Sequence, residues 1–194
     1  MVFKNLKAFF YHVPKTAGSS IEVALYGGRP GGELLHNKRG YRINYQHAFP
    51  DEVKSDLWSF AFVRNPWDRW VSYYHHVVRL KLIPQDLPFE KLVMGLRDGF
   101  KQIPWRQPHN AVDFMAPATS WADGADFVGR FEHLHRDFDI VCQHLGVAGV
   151  KLPHLNATKH QHYSAYYNAD TVELIGSTYS EDISRYGYEF GEPT

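Results

Sequence analysis

A short segment near the N-terminus carries the residue types best suited to chemistry. It contains, in order, a lysine, a threonine, an alanine, a glycine and two serines: Lys15, Thr16, Ala17, Gly18, Ser19 and Ser20. We call residues 13–20 the anion loop, because a lysine charge, hydroxyl groups and a glycine that permits close backbone approach all suit a phosphate group. At a strand-to-helix junction, backbone N–H groups and the helix dipole also favour an anion. The segment therefore predicts a phosphate site, with an ordinary strand-to-helix turn as the alternative.

The position of the lysine distinguishes this segment from the usual nucleotide-binding loop. The Walker pattern G-x-x-x-x-G-K-[ST] places its lysine late, next to the hydroxyl that holds magnesium. Here Lys15 precedes Gly18. His12, just before the loop, is interpreted as a packing residue or as a group that supports Lys15.

A second cationic segment follows the apolar run 57–63. Arg64 comes directly after that run, and Ser72 lies eight residues later, about two helical turns into the helix predicted from Pro66. Because parallel sheets bind ligands at the carboxyl ends of their strands, Arg64 and Ser72 are predicted to share a site with the anion loop. The alternatives are an ion pair between Arg64 and Asp68, and a solvated Ser72.

Taken together, the two segments resemble a known family. Val-Pro-Lys-Thr-Ala-Gly-Ser-Ser at 13–20 and Phe-Val-Arg-Asn-Pro-Trp-Asp-Arg-Trp-Val-Ser-Tyr-Tyr at 62–74 resemble the nucleotide-binding motifs of sulfotransferases that use 3′-phosphoadenosine 5′-phosphosulfate, PAPS. The carbohydrate branch that contains the heparan 2-O-sulfotransferases is the most similar. The resemblance continues at 127–132 and 182–188, and covers most of the chain outside 27–45 and 79–120.

The resemblance implies a fold, a sulfuryl donor and a product. The fold would be similar to that of P-loop kinases. It would be a three-layer α/β fold in which helices flank a central, mostly parallel sheet of about five strands. The anion loop would hold the 5′-phosphate and sulfate of PAPS, and Arg64 with Ser72 the 3′-phosphate. The protein would be a PAPS-dependent sulfotransferase (EC 2.8.2.-). Adenosine 3′,5′-bisphosphate would be its product, and no metal would be required.

Two residues are assigned to the transfer step. Lys15 is suited to the charge that builds on the bridging oxygen as the sulfuryl group departs. An imidazole suits the removal of a proton from the acceptor hydroxyl. Among the twelve histidines, His47 matches the place of the catalytic histidine in the 2-O-sulfotransferase-like branch.

Other residues are predicted to contact the nucleotide or the acceptor. Thr158 and Lys159 are similar in place to a segment that folds over the nucleotide, with a solvated loop as the alternative. The acceptor, a saccharide or another small molecule, is predicted to contact segments 27–45 and 79–120. The aromatic and hydrogen-bonding side chains in the second segment are Trp105, Arg106, Gln107 and His109. Packing and surface roles are their alternatives.

The apolar pattern predicts the elements that position these groups. Buried strands are predicted at 6–10, 57–63 and 126–131, and helices from Ile21, from Pro66, and at 89–100, 132–145 and 169–186. Alternating strands and helices indicate an α/β fold with a mostly parallel sheet. The length of 194 residues fits a single domain, 1–194.

Composition limits the class of protein. Lys plus Arg and Asp plus Glu number 21 each, so net charge gives no indication of a nucleic-acid partner. The single Cys142 fits a reducing compartment, and no long apolar segment indicates stable membrane insertion, so a cytoplasmic protein is expected. The oligomeric state stays open. A nucleotide kinase and a non-catalytic anion-binding protein are the alternative functions.

Overall fold

The apolar runs predicted as buried strands form the centre of a four-stranded sheet. The structure is a computed structural model that describes residues 1–25, 57–107, 109–153 and 161–193. Its strands are β1 (Val2–Phe3), β2 (Ala8–Tyr11), β3 (Trp58–Val63) and β4 (Phe127–Arg130), in the order β1-β2-β3-β4. β2 pairs with β3 and β3 with β4 in parallel. The predicted α/β fold with a central, mostly parallel sheet is confirmed.

The number of strands differs from the expected five or so. Over the described residues the sheet has four strands, and β1, antiparallel to β2, was not predicted. A strand of two residues is too short to show an alternating pattern. Its pairing extends through a backbone hydrogen bond of 2.7 Å from Phe10 N to the Met1 carbonyl.

The predicted helices are present with corrections to two of them, and two short helices, Ala111–Phe114 and Ala118–Ala122, were not predicted. Their bounds are α1 (Gly18–Leu25), α2 (Pro66–Arg79), α3 (Phe89–Met94), α4 (Ala111–Phe114), α5 (Ala118–Ala122), α6 (Leu134–His144), α7 (Ala169–Thr178) and α8 (Ser180–Tyr186). The helix predicted at 89–100 is α3 followed by a 3₁₀ turn, Gly95–Asp98, which ends at the left-handed Gly99, φ 67°. The helix predicted at 169–186 is divided at Tyr179, whose backbone (φ −110°, ψ 27°) leaves helical geometry.

The helix predicted at 169–186 is interrupted at Tyr179, a residue with a distant tertiary contact. Its side chain is buried, and its hydroxyl donates a hydrogen bond of 2.6 Å to the Met115 carbonyl. Apolar spacing continues across this residue in the sequence, so periodicity alone predicts one helix. The tertiary contact, which is distant in sequence, accompanies the change in backbone direction.

The chain divides into two compact units. The first comprises Met1–Val63 and Trp121–Asn156, and contains the sheet, α1 and α6. Its core joins aromatic residues of β1, β2 and β3 to the apolar face of α6: Phe3, Phe10, Phe60, Phe62, Phe138 and Val141. This core positions the carboxyl ends of β2 and β3 at one edge of the sheet.

The second unit comprises Arg64–Ser120 and Ala157–Thr194. Its core is built around the apolar face of α2, with Trp70, Tyr73 and Val77 all fully buried. α2 begins at Pro66 as predicted, and Asn65 caps it, because the Asn65 side chain accepts a hydrogen bond of 3.1 Å from Trp67 N. The single domain proposed from chain length stays a prediction.

Candidate functional site

The anion loop connects β2 to α1, as the sequence predicts. Two of its non-glycine residues, Lys15 (φ 70°) and Ala17 (φ 67°), adopt left-handed backbone conformations. Residues that alternate between left-handed and ordinary φ turn successive N–H groups toward a common point, an arrangement that binds anions. The Ala17 carbonyl accepts hydrogen bonds from Ser20 N at 2.9 Å and Ile21 N at 3.2 Å, which begins the helix earlier than Ile21.

The side chains of the anion loop divide into two sets. Thr16 and Ser20 are buried, whereas Lys15 and Ser19 are partly exposed. The Thr16 hydroxyl donates a hydrogen bond of 2.9 Å to the Val13 carbonyl, so in this structure it closes the loop. Lys15 and Ser19 are the polar side chains of the loop that solvent reaches.

Gly18 packs closely against a side chain that precedes the loop. A Cβ atom built on Gly18 would lie 2.0 Å from Nε2 of His12, far inside van der Waals contact. The His12 ring stacks on Phe10 with centroids 5.4 Å apart, and its Nδ1 lies 2.8 Å from Oε1 of Glu22. The described neighbour that requires a glycine at position 18 is therefore an imidazole ring.

Arg64 directly precedes the N-cap of α2, and Ser72 lies within that helix. Nε of Arg64 donates to Oδ2 of Asp68 at 2.7 Å, so the ion pair considered as an alternative is present. Asp68 and Ser72 are four residues apart within α2 and so lie on the same side of that helix, whereas Arg64 lies before the helix begins. The bond to Asp68 therefore ties the Arg64 guanidinium to the first turn of α2, and Ser72, one turn further along the helix, is partly exposed.

Two of the predicted acceptor-binding residues come together in a packed aromatic cluster. The Trp105 and His109 ring centroids are 4.8 Å apart, and His109 Nε2 lies 2.7 Å from the Tyr73 hydroxyl. Burial lowers the pKa of His109 and raises the pKa of Tyr73, because each charged form would lose solvation. Trp105 and His109 therefore pack within this cluster in the structure, and their contact with an acceptor stays a prediction.

The other two predicted acceptor-binding residues, Arg106 and Gln107, are exposed. Arg106 lines an open surface cavity of about 370 Å³ together with Lys81, Gln85 and Asp86. The cavity is polar and contains two cations and one carboxylate. It gives the exposed part of this segment a surface suited to hydrogen-bonding groups.

Three predicted site residues, His47, Thr158 and Lys159, lie outside the described residues. Across the described part of the chain, no group of three or more His, Cys, Asp or Glu side chains is placed to hold a metal ion. Within the same ranges, no helix has the length and apolar character needed to cross a membrane.

Sequence reasoning did not identify Glu22 as a part of this site. Its carboxylate is buried and pairs with His12, although ten residues separate the two in sequence. His12 stands out in the sequence by its position beside Lys15. Its partner is set by the geometry of β2, the anion loop and α1.

The fold and site define an α/β protein that presents an anion loop at a strand-to-helix junction. A family model described as "Sulfotransferase family" matches residues 1–189. The chain belongs to this sulfotransferase family. Assignment to its heparan 2-O-sulfotransferase branch stays a prediction.

Among solved structures, the chain is similar to a sulfotransferase from Alicyclobacillus acidocaldarius, with 22% sequence identity and a TM-score of 0.40. The alignment covers 68% of this chain and 53% of the Alicyclobacillus chain, so it spans about half of that protein's length. No curated protein matches the chain.

Proposed function

We propose that this protein is a sulfotransferase that moves a sulfuryl group from PAPS to a hydroxyl of a saccharide or another small-molecule acceptor. The observation that carries the proposal is membership of the sulfotransferase family over residues 1–189. The anion loop supports it, because its left-handed residues and Lys15 provide a site for a phosphosulfate group. Adenosine 3′,5′-bisphosphate is the expected product.

The two ends of the proposed sulfuryl donor need different partners. Backbone N–H groups of the anion loop and the side chains of Lys15 and Ser19 suit the 5′-phosphosulfate. Arg64 and Ser72 suit the 3′-phosphate, since an arginine held by Asp68 presents its guanidinium in a defined orientation. Thr158 and Lys159 are proposed to contact the same nucleotide.

The transfer itself requires an in-line arrangement, charge neutralisation and a base. The acceptor oxygen forms a bond to sulfur as the bond from sulfur to the bridging phosphate oxygen breaks. Lys15 stabilises the charge that develops on that bridging oxygen, and His47 takes the proton of the acceptor hydroxyl. We assign no step to a metal ion, because the resemblance implies a reaction that needs none.

The acceptor is proposed to lie along segments 27–45 and 79–120. In the second segment, the Arg106 cavity offers exposed polar groups, whereas Trp105 and His109 are largely engaged in packing. We therefore assign a direct acceptor contact to Arg106 and Gln107 ahead of Trp105 and His109. An acidic or polyhydroxylated acceptor suits such a surface.

The first prediction concerns turnover and the base. Incubation of the protein with PAPS and a panel of sugars and small alcohols should release adenosine 3′,5′-bisphosphate and a sulfated product. His47→Ala should lose about 10²–10⁴-fold in turnover, the range found for general bases, and still bind the nucleotide. Chromatography of the nucleotides and mass spectrometry of the acceptor measure both products.

Three outcomes would contradict parts of this proposal. Full activity in His47→Ala would exclude His47 as the base. Intact binding of adenosine 3′,5′-bisphosphate without transfer to any acceptor would favour an anion-binding protein. Tight binding of ATP with Mg²⁺ in place of the bisphosphate would favour a nucleotide kinase.

The second prediction tests Arg64 with two matched nucleotides. Arg64→Met should weaken binding of adenosine 3′,5′-bisphosphate by about tenfold to a hundredfold, the loss of one or two charge-assisted hydrogen bonds. Binding of 5′-AMP, which lacks the 3′-phosphate, should change little. Isothermal titration calorimetry measures both affinities, and equal losses for the two nucleotides would argue against a 3′-phosphate contact.

A further inference from the structure

His12 occupies a defined place beneath the anion loop. One face of its ring stacks on Phe10, with an interplanar angle of 15°. Its Nδ1 is 2.8 Å from the Glu22 carboxylate, and the two side chains are 15% and 7% exposed. The ring is therefore held in one orientation by a stacking contact and a hydrogen bond that come from two different elements, β2 and α1.

The edge of the His12 ring that carries Nε2 packs on Gly18. A Cβ atom at that position would lie 2.0 Å from Nε2, 2.2 Å from Cδ2 and 2.6 Å from Cε1 of His12. The ring cannot move aside without loss of the Glu22 hydrogen bond or the Phe10 contact. Gly18 is the first residue of α1, so the ring determines how closely the start of the helix approaches the end of β2.

Burial explains why Glu22 contributes to this arrangement. A carboxylate that is removed from water requires hydrogen-bond partners, and the Nδ1–H group of His12 supplies one. Because Glu22 lies on α1 itself, its hydrogen bond ties the ring to the helix whose N-terminus forms the end of the anion loop. The contact of the ring with Gly18 then sets the distance between the N-terminus of α1 and the end of β2.

We propose that His12 and Glu22 are positioning residues for the sulfuryl-donor site. Glu22 orients the His12 ring, and the ring sets the position of Gly18 and the N-terminal N–H groups of α1 relative to Lys15. On this proposal, position 18 requires a glycine because the His12 imidazole packs against it, and not because a bound nucleotide needs the space. This inference rests on the proposed function, because it assigns the anion loop to the sulfuryl donor.

A double-mutant cycle tests this inference. His12→Ala and Gly18→Ala should each weaken binding of adenosine 3′,5′-bisphosphate and lower kcat by tenfold or more. If the two substitutions acted independently, their losses in affinity and in kcat would multiply. The double variant should retain at least tenfold more affinity and kcat than that product predicts, because removal of the ring removes the clash with the new Cβ atom. Calorimetry and initial-rate kinetics provide the two readouts.

Conservative variants separate positioning from general stability. Glu22→Gln keeps an acceptor for Nδ1–H and should retain affinity and kcat within about threefold of the wild type, whereas Glu22→Ala should behave like His12→Ala. Should Gly18→Ala fail to fold, recovery of folded protein in the double variant reports the same coupling. A His12→Ala protein with a lower Tm but unchanged affinity and kcat would overturn the positioning role.

The outcomes distinguish this inference from the proposed function. A wild-type protein that binds neither PAPS nor adenosine 3′,5′-bisphosphate would contradict the proposed function, and with it the role of the pair at the sulfuryl-donor site. A wild-type protein that binds and turns over PAPS, with independent effects of the His12 and Gly18 substitutions, would overturn the inference alone. Independence would also indicate that Gly18 is small to accommodate the ligand.

Discussion

Lys15→Met is expected to remove most sulfuryl transfer and to leave much of the nucleotide affinity intact. The proposed role of the ammonium group is to stabilise charge that develops as the bridging bond breaks, and such a contact is stronger in the transition state than in the ground state. Loss of one preorganised group of this kind costs about 10²–10³-fold in kcat, or about 2.7–4 kcal/mol. The effect should therefore appear in kcat more than in the KM for PAPS.

Methionine is the appropriate replacement because Lys15 has a left-handed backbone, with φ 70°. A glycine would relieve strain at that position and an alanine would remove the whole side chain, whereas methionine keeps much of the aliphatic stem and the same backbone preference. Lys7→Met, which alters an exposed lysine that also has a left-handed backbone (φ 49°), is the matched control and should retain full activity.

Initial rates at saturating PAPS and calorimetry with adenosine 3′,5′-bisphosphate test this prediction together. Loss of binding with an unchanged kcat would indicate that Lys15 contributes only to affinity. An active Lys15→Met protein with unchanged binding would exclude the lysine from the site.

Arg69→Met is expected to destabilise the folded protein strongly. Arg69 is 1% exposed, and its Nη1 and Nη2 atoms donate to the Ala116 and Phe114 carbonyls at 2.9 and 3.3 Å. Burial lowers its pKa by desolvation, opposed by the electrostatic influence of Tyr179 and Asp182. Methionine fills part of the space but leaves both carbonyl groups without these donors.

The same segment is held from the other end by Asp182. Its Oδ2 accepts a hydrogen bond of 2.6 Å from Ala118 N, and its Oδ1 one of 2.8 Å from Thr119 N. Arg69 and Asp182 therefore hold residues 114–119, which run from the end of α4 to the start of α5, through charge-assisted hydrogen bonds to the backbone. Removal of Arg69 takes a cation from a buried arrangement that also contains the Asp182 carboxylate.

The expected loss in the free energy of unfolding is about 3–5 kcal/mol, the range for removal of one partner from a buried charged arrangement. That is a large part of the roughly 5–15 kcal/mol that stabilises a typical domain. Urea unfolding followed by circular dichroism measures the change, with exposed Arg97→Met as the control. Arg69→Lys should also be strongly destabilised, because an ammonium cannot reproduce the guanidinium fork.

A loss below about 1 kcal/mol in Arg69→Met would place this arginine among ordinary surface residues and contradict the argument. An equal loss in Arg97→Met would show that the effect depends on removal of positive charge in general. The comparison therefore tests the two carbonyl contacts directly.

The main elements of the fold were predictable because their signals are local. The run at 57–63 is apolar except for Ser59, as is typical of a strand covered on both faces, and Pro66 after Asn65 marks a helix start. The short strand β1 and the division at Tyr179 were not predictable. Each depends on a partner from a separate part of the chain, and neither interrupts the local pattern of apolar residues.

The sequence by itself determined the chemical types in two candidate binding segments: a lysine ahead of a glycine and two serines in one, and an arginine directly after an apolar strand in the other. Those identities, read in order, were sufficient to indicate an anion site and a family. Only the tertiary structure decided that Lys15 and Ala17 adopt left-handed conformations, that Thr16 turns inward, and that Gly18 faces His12. The physical reason is that backbone direction in a loop, and the pairing of His12 with Glu22, depend on how β2 and α1 pack together.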